Sequence, residues 1–506
     1  MLDNSNDQSF SDYLNARPLD VHKWSDHSEV NEFVNEIYKK LISIKGHEKT
    51  SKKLVKVLLL DLYVAWSADP ELKIMFSRDN NAYKAKSRYN ELHVGKKIRD
   101  IVDALIQDGV IGQKVGFNDR ISGIGFQSRI WASEGLKAQF NKAKFHQFYI
   151  HSHEDREAIE QRDSLKKPDP KYIDTKETIR MRNVLSDYND ILANTHIDIY
   201  NLEKPVIEIG EGKKMMRLQI NQQDKFVRRI FNNSRWDQGG RFYGGWWQRC
   251  PTKYRESIMM DGMATSEIDF SGLHVVLLYS QVGINYWAEV NEDPYQLHGI
   301  NNIDPEIDLR AAAKLLMLTA INADKEKIAF KAFRRQASVK SKMKSLGDDQ
   351  LEAILAALKR KHEPIAHKIA SGAGIDLMYL DSQITEKLVE AFTYTHKCPI
   401  LTVHDSYVVP FGYDRILYKE MQKAFTAITG TTHPVAKHTT EYSDILEQEP
   451  DGPGDMSPQY TEPASQRHIK ELKLFREFKG KPEMESWVPD WTMVYWGGLP
   501  FYLWQL

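Results

Sequence analysis

Two apolar runs, each interrupted by an aspartate, constrain this chain more than any other feature. Residues 266–280 read SEIDFSGLHVVLLYS, with Glu267 and Asp269 flanking an isoleucine, Phe-Ser-Gly following, and a second apolar run over Val275–Tyr279. The pattern predicts a buried strand with a carboxylate at its end, turning into a helix. A carboxylate buried bare is strongly unfavourable, so Asp269 needs a cation, a hydrogen-bond donor or water; the ordinary use of such an aspartate is to cap the helix that follows. Residues 399–412, PILTVHDSYVVPFG, repeat the theme. There a strand pattern is interrupted by His404-Asp405-Ser406 and resumes as Tyr407-Val408-Val409, which predicts a hairpin tip between two core strands. Two aspartates presented by neighbouring strands can hold a pair of magnesium ions for in-line phosphoryl transfer.

The chain has 506 residues, enough for roughly three or four domains. Its formal net charge of -1 announces no global basic field, so any nucleic-acid surface must be local. Cys250 and Cys398 are too few for a zinc site or a disulfide framework and point to a reducing compartment. The opening MLDNSNDQSFSDYLNARPLD is polar and acidic, unlike a signal or transit peptide. No apolar run approaches the ~20 residues of a membrane span. The expectation is a soluble cytoplasmic protein with no membrane partner; oligomeric state is not legible.

Along the chain, residues 1–50 read as an arm and a helix, with helical spacing from Glu29 to Trp66 (Val30, Phe33, Ile37, Leu41, then Leu54–Val64). Within 51–150, a helix over Lys96–Gln107 places Ile98, Ile101, Val102 and Leu105 on one face and Lys96, Lys97 and Arg99 near its start. Strand-like runs at 110–115 and 124–131 follow. Helix, helix and hairpin outline a winged helix-turn-helix, a module that contacts nucleic acid or docks proteins. Residues 151–235 are expected to be a helical, thumb-like region, with a long helix over Thr175–His196 and then short strands and turns leading to 222. The segment 222–254 interleaves Arg, Trp, Tyr and Gly, a composition suited either to stacking on bases or to a packed aromatic cluster. Residues 236–445 hold both aspartate motifs. Residues 446–506 form a linker and tail: a Pro/Gly-rich acidic stretch (450–464), a basic helix over His468–Lys481, and an aromatic cluster from Trp487 to Trp504.

Four ordered segments resemble the signatures of family A DNA polymerases and phage-type single-subunit RNA polymerases. Asp237-Gln238-Gly239-Gly240-Arg241 is similar to the Asp-x-x-Gly-Arg element ahead of the palm, which contacts the template-primer backbone. Asp269-Phe270-Ser271-Gly272-Leu273-His274 resembles motif A, whose aspartate binds both metals. Arg310 and Lys314, ahead of Asn322-Ala323, resemble motif B; their i, i+4 spacing puts both cations on one helical face, as a triphosphate requires. His404-Asp405-Ser406 resembles motif C in its RNA-polymerase form, and Ser371–Tyr379 is similar to the small-residue helix that precedes motif C in the DNA enzymes.

The resemblance covers roughly 225–440 and implies an α+β polymerase right hand: a palm with an antiparallel sheet, helical fingers and thumb, preceded by the winged-helix-like domain. It implies a nucleotidyltransferase that adds nucleotides to a 3′-OH. Two Mg2+ ions, or Mn2+, would sit on Asp269 and Asp405; Arg310 and Lys314 would face the triphosphate, with Lys314 protonating the leaving group. Arg241 would hold the nucleic-acid backbone, and His404 would orient Asp405 or support the primer end. Partners would be a template-primer and nucleoside triphosphates. The departures bear on specificity. His274 stands where the DNA enzymes carry a glutamate that screens the 2′-OH, and Asn322-Ala323 replaces the usual Tyr-Gly, so the choice between NTP and dNTP does not carry over.

The chain reads as having no room for an exonuclease domain in front or for promoter-reading parts, so high-fidelity bulk replication and promoter-driven transcription are not expected; the leading expectation is a primase-like or replication-type polymerase of a mobile element or virus. The competing readings are a template-independent nucleotide-adding enzyme and a non-catalytic scaffold that keeps the palm. One decoy is set aside: His362-Glu363-Pro-Ile-Ala-His367 has one residue too many, and a proline, for a zinc-protease helix.

Overall fold

The computed structural model describes residue 13 and residues 15–119, 124–169, 171–210, 215–300, 303–338, 341–431, 436–438 and 463–480. Residues 1–12 and 14 of the expected N-terminal arm, nearly all of the acidic linker and the Trp487–Trp504 cluster lie outside the described residues.

Two hydrophobic cores organise the described chain. The first belongs to residues 30–150. The helical pattern of Glu29–Trp66 folds as two helices, Ser28–Tyr38 and Glu48–Ala68, the second buried almost continuously from Leu54 to Ala65. It packs on a four-stranded sheet ordered Ala16–Pro18, Lys73–Phe76, Ser128–Ala132, Ile111–Lys114. Helix Ile98–Gln107 buries Ile98, Ile101, Val102 and Leu105, the face that the spacing predicts. The two strand-like runs pair antiparallel as Ile111–Lys114 with Ser128–Ala132, extended by Phe117–Asp119 with Ile124–Phe126. The helix–helix–hairpin order is therefore present. Lys73–Phe76 and the parallel edge strand Ala16–Pro18 add partners that periodicity did not indicate.

The second core runs from Ala158 to Phe425. Over 151–235 the expected helical region contains one long helix, Lys176–Ala193, capped by the Thr175 hydroxyl. The other regular elements described there are strands, among them Ile159–Gln161, Ile197–Ile199, Val206–Ile209, Met216–Gln219 and Val227–Phe231. Short apolar runs bounded by turn residues can satisfy their backbone groups only by pairing with distant runs. Ile197–Ile199 pairs with Ile258–Met260, and Val227–Phe231 pairs with Gly239–Gly244. Both pairings cross the expected break at 235/236, so the two stretches share one core.

The central sheet is antiparallel throughout, ordered Leu401–Val403, Ser406–Pro410, Thr265–Phe270, Ala436–His438. Helices Leu273–Gln281, Gly374–Glu390 and Asp414–Thr429 pack against one another, and Asp414–Thr429 also covers the sheet. Leu309–Ile321, Glu326–Gln336 and Asp348–Lys361 form a separate helical layer. Segregated helices on an antiparallel sheet make this an α+β architecture.

The Arg/Trp/Gly segment at 222–254 supplies packing, not an exposed stacking platform. Trp246 and Trp247 are fully buried, Phe231 and Phe242 are core, and Arg229 is buried with its Nε donating to the Gly240 carbonyl and its Nη1 2.7 Å from Glu386 Oε2. Gly240 (φ +74°) sits at an irregularity in the 227–231/239–244 pairing, where an added Cβ would lie 2.7 Å from Phe231 and 2.9 Å from Ser382 Oγ. Gly240→Ala therefore combines a left-handed backbone with overpacking and is expected to lower stability by about 2–4 kcal/mol in urea titration. Gly412→Ala (φ +92°), with nothing within 4 Å, should lose only the backbone part, about 1–2 kcal/mol.

Candidate active site

The site grows from the register of two strands. Asp269 pairs with Ser406, and the Phe270 N–H donates to the Asp405 carbonyl at 3.3 Å. His404-Asp405 is the whole loop between Val403 and Ser406, which pair with each other, so Asp405 sits at a two-residue tip beside the end of the Thr265–Phe270 strand. His404 takes the left-handed conformation (φ 57°) that such a tight turn demands, and its side chain is exposed. On the other side of Asp269 the chain turns at Gly272 (φ +66°), where a Cβ would meet Pro294 at 3.0 Å, and enters helix Leu273–Gln281. The helix presents His274 in its first turn.

The acidic pair in SEIDF divides into two fates. Glu267 is buried and answered: Arg255 grips it with Nε at 3.0 Å and Nη2 at 2.8 Å, and the Ser406 hydroxyl donates at 2.6 Å. Asp269 is half-buried, and its Oδ1 is enclosed without a hydrogen-bond partner among the described residues. Burial, then the neighbouring Asp405 charge, push its carboxyl up to about 7, while Lys314 pulls it back down. An enclosed carboxylate oxygen without a donor, beside a second carboxylate, suits a hard divalent cation held by oxygen ligands. The residues present therefore fit magnesium or manganese.

Lys314 lies on helix Leu309–Ile321, exposed and with no hydrogen-bond or ion-pair partner among the described residues, close enough for its charge to offset part of the Asp269 shift. Arg310, one turn earlier, is half-exposed and held by Asp293 Oδ2 at 2.7 and 2.8 Å. An exposed pair of this kind is weak enough to exchange for a ligand phosphate. Asn322 ends the same helix; its amide donates to the Leu318 carbonyl at 2.8 Å, and it packs on the backbone of Gly374. Among the described residues no hydrogen bond ties it to Asp269, Asp405 or His274.

Arg241 points inward and not toward a free nucleic-acid surface. Its Nε donates to Asp381 Oδ2 at 2.6 Å and its Nη2 to His274 Nε2 at 2.8 Å. A guanidinium can only donate, so His274 is neutral with its proton on Nδ1; burial, then Arg241, hold its pKa down to about 4. Glycines 239 and 240, both at positive φ next to the pairing irregularity, let the strand turn Arg241 this way. Lys96, Lys97 and Arg99 stand in the first core: Lys96 is exposed, Lys97 half-buried, and Arg99 donates to the carbonyls of Arg78 and Lys96. No recorded contact links these three to the strand-end carboxylates. The zinc-protease decoy is a packed histidine: His362 is buried between the Pro294 carbonyl at 2.8 Å and the Tyr279 hydroxyl at 3.1 Å, while His367 is exposed.

Two residues escaped the reading of the sequence. Asp381, on helix Gly374–Glu390, is 1% exposed; one oxygen takes Arg241 and the other has no partner among the described residues. Burial lifts its pKa to about 6, opposed by Arg241 and aided by Asp405. Its signal was available: Leu377, Asp381, Thr385 and Leu388 share the buried stripe of that helix, and an aspartate in such a stripe demands a partner. Tyr295 is buried near the same carboxylates, and both Asp405 and Asp269 help to hold its hydroxyl protonated. No local pattern marked it.

No family model and no curated protein matches the chain. Among solved structures, the chain matches one described as the POL domain of Pol1 from M. smegmatis in complex with DNA primer-template and dNTP. The likeness has a TM-score of 0.29 and 13% identity, over 81% of this chain and 69% of that one. At that level it carries no weight for activity, and the functional reading rests on the side chains. No helix among the described residues is long and apolar enough to cross a membrane.

The raised carboxyl of Asp269 has a measurable consequence. The ordinary value is 3.8 and the folded value about 7, so the folded chain keeps a proton that the unfolded chain releases. Stability present below about pH 4 is thus lost as pH rises through about 7. In chelator, Asp269→Asn is expected to melt above wild type at pH 8 and to converge with it near pH 4; Mg2+ should raise the melting temperature of wild type only. Thermal melts across pH check both arms.

Proposed function

We propose that the chain is a nucleic-acid polymerase, a nucleotidyltransferase that extends a 3′-OH with nucleoside triphosphates under the direction of a template. The observation that supports this reading best is the Asp269–Asp405 pair, with an Asp269 oxygen that has no partner among the described residues and the Lys314 charge acting on it from a neighbouring helix. Asp269 and Asp405 would hold two magnesium ions, or manganese, through carboxylate oxygens. When bound, such ions supply Lewis-acid stabilisation of phosphoryl charge and lower the pKa of an attacking hydroxyl.

The chain's own groups do the rest. Lys314, exposed on its helix, would meet the β- and γ-phosphates and give a proton to the departing pyrophosphate. Arg310 moves from Asp293 to the triphosphate and adds a bidentate grip. Arg241 does not touch the backbone of the primer in this reading. It neutralises Asp381 and fixes the His274 tautomer, so that Nδ1–H is available to donate to a sugar hydroxyl; this favours ribonucleotides over their deoxy counterparts. His404 at the hairpin tip sits where a primer terminus would approach Asp405. The helix–hairpin module with Lys96 and Lys97 is assigned the recruitment of nucleic acid.

The test is extension of a labelled primer-template with Mg2+, with NTPs and dNTPs offered separately. Asp405→Ala should abolish templated products, and Lys314→Ala should slow extension by roughly 100-fold or more with little change in primer affinity. Products that ignore the template, or products retained in Asp405→Ala, would refute the reading.

A further inference from the structure

Away from the strand-end carboxylates, the Gln466–Lys479 helix docks on the strand Ile197–Ile199 through an unusual set of buried polar side chains. His196 and Asp198 stand two residues apart on the strand side, and His468 and Glu471 stand three apart on the helix, so each pair shares a face. His196, Asp198 and His468 are fully buried; the Glu471 side chain is 22% exposed. The candidate ligand atoms of His196, Asp198 and Glu471 all lie within 4.8 Å of one another. His468 Nδ1 is 2.6 Å from Asp198 Oδ2.

The polar accounting here does not close with protein atoms alone. Neither ring nitrogen of His196 has a hydrogen-bond partner among the described residues. An imidazole enclosed in this way loses its bonds to water and, among the described residues, gains none in return. Arg467 occupies only half of each carboxylate: it donates to Asp198 Oδ1 at 3.0 Å and approaches Glu471 Oε2 at 3.3 Å. Asp198 Oδ2 meets His468 Nδ1, and a Glu471 carboxylate oxygen lies within 4.8 Å of the His196 and Asp198 ligand atoms. An outer cation that orients a ligating carboxylate by its second oxygen is the arrangement found around bound metal ions.

We propose that His196, Asp198, His468 and Glu471 form a closed structural site for a zinc-class divalent cation that fastens the Gln466–Lys479 helix to the core. The ion takes the place of the proton shared by His468 and Asp198 and gives His196 the partner it lacks. Two imidazoles and two carboxylates suit zinc better than magnesium or calcium, which prefer all-oxygen sets. Burial of three of the four ligands leaves no open position for substrate, which makes the role structural. The expectation that two cysteines are too few for a zinc site does not cover this one, whose ligands are imidazoles and carboxylates.

The probe is Zn2+ itself, added to the full chain carrying Asp269→Asn and Asp405→Asn so that the strand-end carboxylates contribute nothing. After dialysis against chelator, calorimetric titration should show one equivalent bound, with a rise in melting temperature, and Co2+ should give the visible absorption of a four-coordinate site. Glu471→Gln, at the half-exposed edge of the site and confirmed as folded by circular dichroism, should weaken Zn2+ by roughly 100-fold; His196→Ala should abolish binding. No Zn2+ uptake by the folded parent, or equal affinity in Glu471→Gln, would overturn the proposal.

Discussion

The repulsion between Asp269 and Asp405 is the constraint around which the second core is arranged. The antiparallel register leaves no freedom in it. Asp269 faces Ser406, the Phe270 N–H holds the Asp405 carbonyl, and a two-residue tip gives the second carboxylate nowhere to retreat. In a low-dielectric setting two such charges are tolerable only if the other charges nearby are settled. They are: Arg255 and Ser406 hold Glu267, and Arg241 holds Asp381. What remains among the described residues is an unmet demand at Asp269 Oδ1, within reach of the Lys314 charge, and a second at Asp381 Oδ1.

Seen this way, Arg241 has more to do than bind a ligand. It couples three elements: its own strand, Asp381 on the 374–390 helix and His274 on the helix that follows Asp269. Removing it would leave a buried carboxylate without a cation and an imidazole without a donor, a double loss that reaches the geometry of both strand ends.

The sequence showed where the chemistry sits more clearly than how it is braced. Asp269 and Asp405 were legible because a carboxylate inside an apolar strand is a conflict visible within a few residues. The buried face of Ile98–Gln107 was legible for the same reason: helical period is local information. Arg241 was expected to hold the nucleic-acid backbone, and its protein partners, Asp381 and His274, were not legible because they are remote in sequence. Short strands after the 176–193 helix were legible as apolar runs between turns, but the pairings of 197–199 with 258–260 and of 227–231 with 239–244 carry no local signature. The tail read as silent; its His468 and Glu471 acquire meaning only beside His196 and Asp198.

The Gln466–Lys479 helix also touches the first core's margin. Phe475 stacks edge-on against Phe148 at 5.1 Å, and Phe478 approaches Tyr149 at 4.9 Å and His27 at 5.7 Å. The seam between the two bodies is therefore sealed by residues that leave the ribosome long after both bodies have emerged. During synthesis Phe148, His196 and Asp198 must wait exposed or loosely covered until that helix arrives. The order of translation sets a window in which this joint is open to chaperones, to proteases and to other nascent chains.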